Sequence, residues 1–106
     1  MTPYPYGDET YENPSILVSN DGYSWIVPPG LTNPIDPWPG TGRENCDPYL
    51  VFNTATNNLE VYYLEIEQGS LNDTILKRKL SSDGSAWSSE EDLLIVPNYH
   101  LQSHQC

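Results

Sequence analysis

The chain has 106 residues, with 15 Asp and Glu against 4 Lys and Arg, for a formal net charge of -11 at pH 7. That length holds one domain at most. A surface this acidic repels phosphate backbones, which excludes nucleic acid as a partner class, and no apolar run approaches membrane length.

Residues 1–14, MTPYPYGDETYENP, are polar and Pro-rich with no periodicity. They hold no secretory apolar region and read as an extended lead-in. Residues 15–19 (SILVS) form a short predicted strand. Asn20-Asp21-Gly22 is a strong hairpin signal, and residues 23–27 (YSWIV) are the return strand. Residues 28–46, PPGLTNPIDPWPGTGRENC, carry five prolines and three glycines, which suit neither a helix nor a central strand. A connection of that length is functional or disordered. Trp38 sits in it between two prolines, placed to present an aromatic ring at a rim.

From Asp47 to Pro97 the sequence reads as a four-stranded antiparallel meander. Its strands are residues 48–53, 59–66, 74–80 and 93–96, rich in Val, Ile, Leu, Tyr and Phe. Asn57-Asn58, then Gly69 with Asn72-Asp73, then Asp83-Gly84 supply the turns. Residues 89–94 have the makings of one helical turn. Lys77, Arg78 and Lys79 lie on the third strand, where cross-strand pairing with Glu60, Glu65 and Glu67 accounts for them.

Residues 98–106 are a polar tail. His100 and His104 stand four apart, the spacing of a helical metal pair, but the tail has no helix signal. No alternating Asp/Asn run closes with Glu in the calcium-binding manner. Neither a metal nor another cofactor is expected. Cys46 and Cys106 make no disulfide framework, and a bridge between them stays open. Asn72-Asp73-Thr74 is a glycosylation acceptor sequence in a predicted loop. The chain has 3 Trp and 8 Tyr against a single Phe. Such residues stack sugar rings on an apolar face and offer a polar tip; the competing account makes them strand formers on half-buried sheet faces.

An internal repeat stands out. Ser19-Asn20-Asp21-Gly22-Tyr23-Ser24-Trp25 matches Ser81-Ser82-Asp83-Gly84-Ser85-Ala86-Trp87 in Ser, Asp, Gly and Trp, 62 positions apart. A period of that order points to a propeller or solenoid. The motif's own physics is structural: Asp21 and Asp83 accept turn N–H groups, Gly22 and Gly84 take positive φ, and Trp25 and Trp87 cover the hairpins.

With these turns, the chain from about residue 12 to residue 96 resembles the five-bladed β-propeller superfamily of arabinanase-, xylosidase- and levansucrase-like glycoside hydrolases. The S-x-D-G-x-x-W hairpins are similar to the Asp-box of sialidases, one residue shorter, as found in bacterial and phage proteins. The resemblance implies an all-β fold with residues 15–27 as two strands of a partial blade and 47–97 as a full blade. Residues 28–46 would be the inter-blade connection. About one and three-quarter blades cannot close a ring of four to eight, so completion requires a longer gene product or a homo-oligomer.

The resemblance also implies a site. Such propellers place acidic residues at the start of innermost strands, and Asp47 matches that position as a catalytic carboxylate. Strand-start capping is the structural alternative for Asp47. Trp38, Arg43, Glu44 and Tyr49 would line the funnel and contact substrate. Glycoside hydrolysis needs two flanking carboxylates. With no second blade to supply the partner acid, the expectation is a glycan-binding or glycosidase-like module that is not catalytic alone. The alternative is a structural or adhesive β module of a virion or cell surface; an extracellular or virion-associated location fits either reading, and the sequence leaves it open.

Overall fold

The computed structural model describes residues 9–67 and 73–96. The lead-in up to residue 8, the loop 68–72 with Asn72, and the tail from residue 97 with both histidines and Cys106 lie outside the described residues.

The fold is all-β. One open antiparallel sheet runs β1 (Arg43–Asn53), β2 (Asn58–Glu67), β3 (Thr74–Ser81) and β4 (Glu91–Val96), in that spatial order. All four meander strands are therefore present. Asn57, at φ 58°, makes the β1–β2 turn in the left-handed region that Asn tolerates. The serine-rich stretch before β4 forms no helical turn; Glu91 and Asp92 already pair with Arg78 and Lys77 across β3. β1 begins four residues before Asp47, because Arg43 to Cys46 pair in register with Glu67 to Leu64.

The expected strands over residues 15–19 and 23–27 shrink to one bridge, Val18 with Ile26. The loop that follows takes the neighbouring backbone groups instead. Asn33 accepts from the Ile16 N–H at 2.9 Å and donates to its carbonyl at 2.8 Å, and the Ile35 N–H donates to Pro14. A ladder cannot lengthen once its groups are satisfied elsewhere.

These bonds make residues 28–46 part of the core. Ile16 and Ile35 pack with Val61 and Tyr63 of β2, and Leu31 and Trp87 close over them. The buried face of the sheet is partly ionic. Lys77 and Lys79 are each 8% exposed, and both lie opposite buried β2 residues. Lys77 Nζ is 2.8 Å from Glu65, as cross-strand pairing predicts, while Lys79 Nζ donates to the carbonyl of Ile35 in the long connection. Arg78 pairs with Glu91 at 2.6 Å and reaches Glu60 at 3.8 Å. Burial pushes the Glu65 carboxyl up, but Lys77 and Arg43 outweigh it and hold it below its ordinary value.

Candidate functional site

A single 3-10 turn, Glu9–Tyr11, sets Glu12 and Asn13 against the start of β1. Asn45, fully buried, donates from Nδ2 to Asn13 Oδ1 and to the Pro37 carbonyl, both at 3.1 Å. One amide thus ties the lead-in, the long connection and β1 together. Glu12 is 7% and Glu44 5% exposed. Two buried oxygens here, Glu12 Oε2 and Asn45 Oδ1, have no hydrogen-bond partner among the described residues. A buried oxygen without a donor is costly and marks a place where a donor from outside is welcome.

Burial, then the charges of Glu44 and Asp47, push the Glu12 carboxyl from 4.5 up to about 7. A carboxyl titrating near neutrality holds or takes a proton at physiological pH, the property of a general acid or base.

Asp47 does not open a strand. It sits inside β1 at a bulge, where the register with β2 shifts between Cys46 and Tyr49. Pro48 has no N–H to give the ladder, so the chain bulges there, and Asp47 takes φ 52°. Its side chain is exposed, as is Tyr49 just beyond it. Bulges re-aim side chains, and a non-glycine residue in the left-handed region is strain of the kind found at functional sites.

The other expected contacts divide. Glu44 and Asp47 share the site with Glu12. Arg43 does not face it freely: its Nε lies 2.6 Å from Glu65, and the guanidinium reaches Glu67 at 3.6 Å. Trp38 is half-buried rather than held out at a rim, and its indole donates to the Arg43 carbonyl at 3.0 Å. The sequence reading overlooked Glu12 and Asn45. The signal was Glu-Asn-Pro directly before the first apolar run, three residues that a featureless lead-in has no need to bury.

Cys46, beside Asp47, is buried and disulfide-bonded. Among the described residues, no three His, Cys, Asp or Glu side chains form a group able to hold a metal ion. The turn aspartates act as the repeat predicts, whereas Trp25, 55% exposed, does not cover its hairpin as Trp87 does. Asp21 Oδ1 accepts from the Tyr23 and Ser24 N–H groups, and Asp83 Oδ1 from those of Ser85 and Ala86.

No protein-family model matches the chain, and no solved structure matches it. A curated relative, described as an A type blood N-acetyl-alpha-D-galactosamine deacetylase from Flavonifractor plautii, is 39% identical over 79 residues. That stretch is 73% of this chain and 10% of the relative, so the chain spans about a tenth of the length of the protein it matches.

Proposed function

We propose that this chain is a carbohydrate-related β module, propeller-like in its repeated turns, whose glycan contact is the acidic site of Glu12, Glu44 and Asp47. The observation that carries the reading is Glu12: a buried carboxyl whose Oε2 has no partner among the described residues, raised toward neutrality by its burial and then by two neighbouring carboxylates. Sugar hydroxyls and amide N–H groups are the donors such oxygens lack. The likeness to a deacetylase of an N-acetylated sugar supports an acetamido sugar as the ligand class. In that role Glu12 would accept a hydrogen bond from the sugar, and Asp47, on its bulge, would orient it.

The module binds without turning over. One sheet presents one acidic cluster, and breaking a glycosidic bond requires carboxylates on both sides of it. Calorimetric titration of the chain with N-acetylgalactosamine-terminated and de-N-acetylated oligosaccharides tests the reading. The expected result is weak binding that favours the acetylated sugar, weakened roughly tenfold or more by Asp47→Asn, as for a lost charged hydrogen bond. No binding to either sugar overturns it. Turnover of an aryl glycoside that Asp47→Asn abolishes would show that the module is catalytic by itself.

A further inference from the structure

The two repeated turns are built alike but covered differently. In both, a serine Oγ accepts from the glycine N–H, Ser19 to Gly22 at 2.8 Å and Ser81 to Gly84 at 2.7 Å. The pairing behind each turn also corresponds. Val18 and Ile26 exchange backbone hydrogen bonds, and at the matching positions the Ser88 N–H donates to the Leu80 carbonyl.

The second turn lies under a neighbouring strand. Leu59 of β2 stands opposite Ser81, and its Cδ1 would meet a Cβ on Gly84 at 3.5 Å. Trp87 closes the other side, donating to the Gly84 carbonyl at 3.0 Å. Among the described residues, the first turn has no such cover. A Cβ on Gly22 meets nothing within 4 Å, and Trp25 is 55% exposed. A hollow of about 390 Å³ lies there, lined by Val18, Ser19, Asp21, Ser24, Ile26 and Pro29.

From this difference we infer that the edge at residues 17–19 is a docking site for an added β-strand, and that its occupant is β4 of a second copy of this chain. The internal template fixes the kind of partner. On β3 the equivalent edge pairs with an antiparallel strand that carries an apolar side chain over the turn. β4 has the matching surplus. Among the described residues it is an edge strand paired only to β3, and Leu93, Leu94 and Ile95 are 42%, 56% and 56% exposed. An apolar edge strand open on both faces pairs with another chain unless something blocks it. The contact is heterologous, β4 of one copy on the hairpin of the next, so association does not stop at two copies unless the ring closes. The charge of -11 on each copy opposes it, and salt relieves that opposition.

Light scattering of the full chain over a concentration series, at low and at 0.5 M salt as a working choice, tests the inference. The expected mass rises with concentration, and more steeply at high salt. Ile26→Lys puts a charge into the hollow, and Leu94→Lys puts one on the docking strand; both positions are exposed, and each variant alone should remain monomeric. Mixed together they should form a two-chain species, because Ile26→Lys keeps its strand and Leu94→Lys keeps its hollow. That recovery also shows that neither variant is simply misfolded. A wild-type chain monomeric throughout overturns the inference, as does an oligomer that survives either substitution. Failure of the mixture to recover overturns it as well.

Discussion

Tyr63 and Asp36 meet in the core, where the phenol of β2 donates to the Asp36 carboxylate of the long connection at 2.5 Å. The sequence separation is 27 residues, so the bond fastens the connection across the sheet rather than locally. Burial, then the hydrogen bond and charge of Asp36, push the Tyr63 phenol far up, so it stays a donor. Tyr63→Phe keeps the ring in the core and leaves Asp36 without that donor. The expected cost is about 2 kcal/mol, in the range for hydrogen bonds to charged groups. Urea unfolding checks it, and an unchanged midpoint would mean that the apolar contacts alone hold the connection.

Glu12 makes stability depend on pH in an unusual direction. Its folded carboxyl titrates near 7 instead of 4.5, so the folded state holds the proton more tightly than the unfolded chain does. Its contribution is complete below pH 4.5 and is lost as pH rises to about 7. Glu12→Gln should remove that loss and be more stable than wild type at pH 8, by at most roughly 3 kcal/mol at full linkage. Glu65 works the opposite way, favouring the fold above its ordinary value and losing that contribution as pH falls through its lowered one. Denaturant melts of wild type and Glu12→Gln between pH 4 and pH 8 isolate the Glu12 term. Parallel profiles would rule it out.

Asp47 should show function opposed to stability. At φ 52° a glycine is more comfortable than an aspartate. Removing the negative charge also relieves Glu12. Asp47→Gly should therefore leave stability unchanged or raise it, by up to about 1 kcal/mol, while sugar binding falls. Thermal melts beside a sugar titration check both halves. A clear loss of stability would make Asp47 a structural residue of the bulge.

Some of this was open to a reader of the sequence. The meander was legible because three strands are rich in β-branched, aromatic or leucine residues, the third alternates apolar and basic ones, and Asn, Asp, Gly or Pro closes each. The extra start of β1 was not. Arg-Glu-Asn-Cys has no strand character, and it is extended because Glu65 and Glu67 draw Arg43 into register. The buried lysines were hidden for a related reason. Charge says surface, and it is the Ile35 carbonyl for Lys79, and the Glu65 and Asp92 carboxylates for Lys77, that make them tolerable inside. The acidic site was half legible: the Asp-Pro step marked Asp47, whereas the burial of Glu12 depends on contacts with β1 that no local pattern encodes.

The repeated turns offer a last comparison, since one motif sits in two environments. Both aspartates accept two backbone N–H groups, and those bonds hold both carboxyls below their ordinary value. Asp83→Ala frees a turn that Leu59 and Trp87 pack against, so its loosening reaches the core through Trp87. Asp21→Ala frees a turn with no strand above it among the described residues. The first substitution should lower the global urea midpoint clearly. The second should leave that midpoint nearly unchanged while speeding amide exchange at residues 22–24, because local opening there breaks no core contact. Equal shifts of the midpoint would mean that the hairpin of residues 18–26 unfolds with the sheet, and that its cover is already in place in the isolated chain.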